Sequence, residues 1–316
     1  MHKVIFDTDP GVDDAMALLF LDRHPDIDLI GITTAFGNAS IETTTRNALY
    51  LKQQWGLGAP VAKGSAGQFD PARKPHPFPA HIHGDDGLGN IGVPDIVGVP
   101  LDPRPAHQFI VDTVKANPGE VVLVAVGRMT NLANALKAAP EIAGLVKEVI
   151  IMGGAVDVPG NVTPAAEANI HGDPEAADYI MTAPWKVVVV GLDVTLKTKM
   201  SRAELATLAG RGGEAMQLLD RLSQFYIDFY DGEVKDSMVV HDTCACVYLV
   251  ARELFTTRPG PVRVLTTGIG EGKTLQKPDG HRFGPSEWDG QPSQLVCTGI
   301  DAAAVMALVK ETLVRQ

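Results

Sequence analysis

The chain is short of positive charge, cysteine, tryptophan and long apolar runs. Its 316 residues carry 27 Lys and Arg against 38 Asp and Glu, a formal net charge of −11. No basic run offers counterion release, which argues against nucleic acid or an anionic membrane as partner and leaves small molecules and cations. Three cysteines, Cys244, Cys246 and Cys297, make no disulfide framework, and an isolated C-x-C has too few ligands for zinc. They are expected to be buried thiols acting as small hydrophobes. The most apolar runs, such as Val121–Val126 and Val187–Val190, have strand length and cannot span a bilayer. The N-terminus lacks a basic segment followed by an apolar one, which predicts a cytoplasmic protein. No repeat, low-complexity tract or Ser/Gly linker interrupts the chain, so one domain over 1–316 is expected.

What the sequence does contain is a rhythm. Apolar, β-branched runs at 3–6, 27–34, 121–126, 146–152 and 185–190 alternate with helical patterns at 14–23, 41–55, 130–138, 174–182 and 201–209. Strands buried on both faces read this way, and the alternation predicts an α/β fold with a mostly parallel sheet covered by helices on both sides. Ligands bind such sheets beyond the carboxyl ends of the strands. There the sequence places Asp7–Asp13, Phe36-Gly37-Asn38, Gly127 and Gly153-Gly154. The stretch 64–105, rich in Gly, Pro and His, is too long for a plain connection and is expected to be a binding loop, as is 222–240.

The stretch FDTDPGVDDA crowds Asp7, Asp9, Asp13 and Asp14 around a Pro-Gly directly after the first strand. Like charges at that density repel unless a cation or donor-rich ligand offsets them. An EF-hand loop fails, because the twelfth residue from Asp7 is Leu18 where a glutamate is required. A Mg²⁺-dependent aspartyl phosphatase with Asp7 as nucleophile fits in part, and helix capping by one or two of the aspartates is a further reading. Downstream, His241-Asp242 precede an apolar helix, and GNVTPAAEANIHGDPEAA sets Asn161, Glu167 and Asn169 in a mostly uncharged loop. Amides that donate and accept, beside a carboxylate that accepts, suit the hydroxyls of a sugar.

FDTDPGVDDAMAL, TAFGN, GRMTNLANAL, IMGGA, GNVTPAAEANIHGDPEAA and VVHDTCA occur in this order over residues 5–246. Together they resemble the nucleoside hydrolase family, in its inosine-uridine-preferring branch. The resemblance implies a single Rossmann-like α/β domain, assembly as a dimer or tetramer, one bound Ca²⁺, and hydrolysis of ribonucleosides to ribose and free base. By motif position it implies Asp9, Asp14, Asp242 and the backbone carbonyl of Val126 as Ca²⁺ ligands. Asp9 would be the general base for a metal-bound water, and His241 the general acid for the departing base. Asp13, Asn38, Asn161, Glu167, Asn169 and Met152 would line the ribose. His83 would lie near the base, while Asp7 would brace the loop; Tyr226 and Tyr230, one helical turn apart, either share a face toward that pocket or divide, one ring in the core and one exposed.

The chain departs from that pattern in two places. Arg128 stands where relatives often carry proline, and Ala168 where many carry an aromatic that packs on the sugar. Trp55, Trp185 and Trp288 lie outside the motifs in which purine-specific relatives stack the base. Beyond residue 250 no motif stands out, although Trp288 and Asp289 sit in a Gly/Pro-rich stretch able to cover a site. Two rival readings stand beside the hydrolase: the phosphatase, and a non-catalytic ribose or nucleoside binder.

Overall fold

The computed structural model describes residues 1–74 and 76–315. Its strands are β1 (His2–Thr8), β2 (Ile27–Thr34), β3 (Val61–Ala62), β4 (Val121–Ala125), β5 (Glu148–Met152), β6 (Val187–Val190), β7 (Lys199–Ser201), β8 (Ser237–Val239), β9 (Phe255–Gly260), β10 (Val262–Val264), β11 (Thr274–Gln276) and β12 (Gln294–Ile300). Eight of them form one sheet in the order β3-β2-β1-β4-β5-β6-β12-β9, parallel throughout except for the edge strand β9. The expected α/β fold with a mostly parallel sheet is what the chain adopts.

Strand alternation builds two cores from the same short runs. Val4, Phe6, Val122, Val124, Ile150, Val188 and Val190 face one layer of helices, which includes Val12–Arg23, Gly213–Tyr230, Asp242–Val250 and Ala302–Leu313. Ile5, Val121, Leu123, Ala125, Val149, Ile151, Val187 and Val189 face the other, with Ala106–Ala116, Thr130–Ala138 and Pro174–Met181. Among the described residues no helix is long and apolar enough to cross a membrane. All three cysteines are buried and free, as expected.

From β1 the chain winds outward through β2 to β3, then returns to the other side of β1 as β4. This reversal of direction opens a crevice between the carboxyl ends of β1 and β4, where a ligand fits without obstruction by a crossover. The acidic loop follows β1 and Gly127 follows β4, so the switch point carries the unusual sequence.

Two expectations need correction. Residues 222–230 belong to the helix Gly213–Tyr230 and are not loop, because Leu218, Leu219, Leu222, Tyr226 and Ile227 recur at helical spacing and are buried. Trp288 and Asp289 do not line the crevice. The segment 64–105 is mostly irregular, with one short helix at Ala80–His83.

Between Val4 and Ile5 the pairing with β2 jumps from Leu29 to Gly31, so Ile30 is the extra residue of a bulge. Gly31 then backs onto Phe109, and a Cβ built there would lie 2.4 Å from its ring. Phe109 is buried in the second core and has little room to retreat. Gly31→Ala is therefore expected to lose about 1–3 kcal/mol of stability. Urea denaturation reads this directly; an unchanged midpoint would contradict the close packing.

Candidate active site

The crevice is a cavity of about 620 Å³ whose wall includes Asp9, Asp13, Asn38, His83, Val126, Met152, Asn161, Glu167, Asn169, Tyr226, Tyr230, His241 and Asp242. Of the acidic residues singled out by motif, Asp14 lies behind that wall. Asp7 is also outside it: its Oδ1 accepts from Thr33 Oγ1 at 2.5 Å and Asn131 Nδ2 at 2.8 Å. These bonds tie β1 to β2 and to the helix Thr130–Ala138. An aspartyl nucleophile at position 7 would face away from the cavity.

The acidic loop is held by donors from its own backbone and from Asn38. Asp14 Oδ1 accepts from Thr8 Oγ1 at 2.5 Å and Asp9 N at 3.1 Å, and its Oδ2 from Gly11 N at 3.0 Å and Asn38 Nδ2 at 2.9 Å. Four donors fill the lone-pair sites of that carboxylate, so a cation drawn to it must displace one. Asp9 is held differently. Its Oδ2 accepts from Asn38 N at 2.8 Å, while Oδ1 is buried with no partner among the described residues. Glycines wrap it on two sides, since a Cβ at Gly37 would lie 1.9 Å from Oδ2 and one at Gly127 2.5 Å from Oδ1. No other residue type lets two strand-end loops approach the carboxylate this closely.

Asp13, Asp14 and Asp242 each turn one carboxylate oxygen inward, all within 4.8 Å of one another. The convergent trio thus has Asp13 where the motif transfer put Asp9. Burial pushes Asp13 up to about 8, helped by Asp14 beside it. Burial, then the charges of Asp13, Asp14, Asp9 and Glu167, drive Asp242 well above the carboxylate range. Asp9 shifts the same way, through burial and then Asp14. Several acids that cannot ionise together, an unpartnered buried oxygen and an all-oxygen donor set fit a hard divalent cation.

The loop of Asn161, Glu167 and Asn169 closes the next wall. Glu167 caps the short helix Ala168–Gly172: Oε1 accepts from Asn169 N at 2.9 Å, and Oε2 from Gly154 N at 2.9 Å and Ile170 N at 3.2 Å. Asn169 Nδ2 donates to the carbonyls of Val126 at 2.6 Å and Met152 at 3.1 Å, which ties the ends of β4 and β5 together. The Val126 carbonyl already accepts one bond here. Asn161 Oδ1 accepts from Ala168 N at 3.0 Å.

Aromatic rings make the opposite wall. Tyr226 and Tyr230, one turn apart, are both buried with ring centroids 5.0 Å apart, and His83 lies 5.2 Å from Tyr226. His83 Nδ1 accepts from Val12 N at 3.3 Å. Burial, then the nearby His241, lower His83 to about 3, so it is a neutral imidazole. His241 meets hydroxyls at both nitrogens, Thr195 Oγ1 at 2.9 Å from Nδ1 and Tyr230 Oη at 3.1 Å from Nε2. Burial lowers it to about 4, so this ring too is neutral at pH 7, below the near-neutral range expected of a free imidazole.

Motif reading missed Thr8, which lies inside FDTDPG, and Thr195, which carries no motif and reaches His241 across 46 residues. It also missed Phe229, His76 and His171, all of which line the cavity.

The likeness to known proteins spans the chain. The model of the family described as inosine-uridine preferring nucleoside hydrolase matches residues 4–307. A probable uridine nucleosidase of Oryza sativa subsp. japonica is 40% identical, over 98% of this chain and 96% of its own length. The inosine-uridine preferring nucleoside hydrolase of Leishmania major is 37% identical, over 85% of this chain and 86% of its own. Among solved structures, a plant nucleoside hydrolase superposes with a TM-score of 0.94 at 38% identity, covering 100% of this chain and 99% of that one. A purine-preferring ribonucleoside hydrolase from Gardnerella vaginalis gives 0.90 at 33%, covering 98% of each. With the acidic crevice, the glycine-wrapped Asp9 and matches of this extent, the chain belongs to the inosine-uridine preferring nucleoside hydrolase family.

Proposed function

We propose that the protein hydrolyses the N-glycosidic bond of ribonucleosides, releasing ribose and free base, with Ca²⁺ as its metal. The observation that carries this reading is the buried convergence of carboxylates beside a sugar-sized cavity with an aromatic far wall. Asp13, Asp14 and Asp242 would hold the ion, with Asp9 and the Val126 carbonyl beside them. When bound, Ca²⁺ supplies the counter-charge these acids lack, anchors sugar hydroxyls and lowers the pKa of a coordinated water.

The chain's own groups divide the remaining work. Asp9 takes the proton of the attacking water through its unpartnered Oδ1, held in aim by Asn38 and the two glycines. Water oxygen bonds to the anomeric carbon as the bond to the base breaks and its electron pair leaves with the base. Asn161, Glu167 and Asn169, with Asn38 and Met152 nearby, orient the ribose and supply the proximity contribution. His83 and Tyr226 flank the base. The Tyr230–His241 pair, fixed from behind by Thr195, gives the departing base its proton. Cytoplasmic location and assembly as a dimer or tetramer belong to the same reading.

Three outcomes are expected. Asp9→Asn should lower kcat for base release about 10²–10⁴-fold, the usual share of a general base, while the circular dichroism spectrum stays native; undiminished turnover would remove Asp9 from the mechanism. His241→Ala should lose a similar factor on uridine or inosine but far less on p-nitrophenyl riboside, whose leaving group needs no proton. Equal losses on both substrates would show that His241 does not act on the leaving group. Chelation of Ca²⁺ should abolish activity and lower Tm, both restored by Ca²⁺ in a saturable way, with about 2.7 kcal/mol of stabilisation at a hundredfold excess over Kd. Full activity in the chelator, or equal cleavage of 2′-deoxyribonucleosides, would exclude hydroxyl anchoring by the ion.

A further inference from the structure

One end of the cavity takes no part in that reaction. Arg128, just past β4, reaches into it with only 6% of its surface exposed. Its guanidinium carbon lies 4.5 Å above the Phe36 ring, and a Cβ at Gly172 would come within 2.4 Å of its Nε. Nη1 is buried with no acceptor among the described residues. A desolvated guanidinium with open donors is destabilising unless an anion completes it. His76 and His171 stand at the same end with ring centroids 4.5 Å apart, and His76 Nε2 is likewise buried without a partner among the described residues.

Of the carboxylates near this group, Asp9 is the acid of the hydrolytic step, and the others are committed elsewhere. Glu271 pairs with Arg73 at 2.7 Å. Asp173 accepts from Thr130 Oγ1 at 2.5 Å and from the amides of Phe69 and Ala176. Burial lowers His76 and His171, with Arg128 adding to the effect and Glu271 opposing it, so the guanidinium carries the positive charge of this end. The cavity therefore has a cationic end and an aromatic end, with the acids between. Small residues, Ala168 and Gly172, line the approach to the cationic end.

A ribosyl substrate carries its base on C1′ and its hydroxymethyl on C4′, at opposite ends of the ring. A base placed against Tyr226 and His241 leaves C5′ to face the other end of the cavity. We propose that Arg128, His76 and His171 form an anion subsite for a phosphate on C5′, so that ribonucleoside 5′-monophosphates are substrates beside the nucleosides. The inference rests on the ribosyl-hydrolase reading above and extends its substrate class. A planar guanidinium presents paired N–H donors to phosphate oxygens, and the imidazoles add single donors. The bond changes are those of nucleoside hydrolysis: water adds to C1′, the base leaves with the electron pair and takes a proton, and the phosphate ester remains intact. The product is ribose 5-phosphate.

Calorimetric titration of the full chain in Ca²⁺ with ribose and with ribose 5-phosphate tests the subsite. The phosphate ester should bind at least about tenfold tighter, as one charge-assisted paired contact allows. Arg128→Met should erase that preference and Arg128→Lys keep part of it, while His171→Phe serves as an independent variant that should reduce it. In parallel, uridine and uridine 5′-monophosphate are compared by base release, with ribose 5-phosphate identified by mass. The kcat/KM for uridine 5′-monophosphate relative to that for uridine should fall at least about tenfold in Arg128→Met. Equal affinities for ribose and its phosphate, with uridine still cleaved, would overturn the subsite and leave the nucleoside reading intact. Tight ribose 5-phosphate binding without base release from either substrate would keep the subsite and overturn that reading.

Discussion

Mutual repulsion among Asp9, Asp13, Asp14, Asp242 and Glu167, buried at the carboxyl edge of one sheet, governs most of what surrounds them. Unit charges a few ångströms apart out of water repel by several kcal/mol each even at a generous effective dielectric. Three devices moderate this. Asp13 and Asp14 sit in the first turn of Val12–Arg23, and Asp242 in that of Asp242–Val250, so two helices aim their positive ends at the acids. Backbone amides and Asn38 donate to Asp9 and Asp14. Glycines at 37 and 127 let those loops close without displacing the carboxylate. None of these removes the charge, which is why the arrangement asks for a cation.

The sheet was legible because its strands are buried on both faces and short, so each appears as an unbroken apolar run. The expected strand at 27–34 and the helices at 41–55 and 130–138 coincide with the observed elements. Acidic motifs at strand ends were legible because parallel topology sends every such end to the same edge. Long-range contacts were not. Thr195, at the end of the short helix Leu192–Thr195, reaches His241 because β7 and β8 pair beside them, Lys199 opposite Val239, and no local pattern records that pairing. Helical spacing of Tyr226 and Tyr230 was visible, but not the packing of Tyr226 on His83, which comes from the short helix Ala80–His83, more than a hundred residues earlier. Likewise, the four donors filling Asp14, and the appearance of Asp13 in the convergent trio, follow from how the loop turns after Pro10.

The cavity separates its chemistry by distance along one axis. At the aromatic end His83 and His241 are neutral, since burial lowers both. A neutral ring flanked by hydroxyls packs on a heterocycle without the desolvation penalty an imidazolium would bring. The hydroxyl contacts at both His241 nitrogens fix the ring's orientation, so the proton it shares with Tyr230 lies in a set direction.

Positional consistency separates this site from a phosphatase built on the same opening motif. A phosphoryl acceptor must stand free in the cavity, yet Asp7 spends its inner oxygen on Thr33 and Asn131 and lines no part of the wall. Asp7 Oδ2 is bare and buried too, but away from the cavity; Asp9 lines the wall, with Oδ2 fixed by Asn38 N and Oδ1 bare and buried. An oxygen left bare inside a protein is a standing destabilisation that folding alone does not reward. Its retention here is intelligible when a proton or a cation completes it during turnover. The fold therefore turns the Asp9 carboxylate into the cavity at the switch point of the sheet, and sets that of Asp7, two residues earlier, to holding β1, β2 and the helix Thr130–Ala138 together.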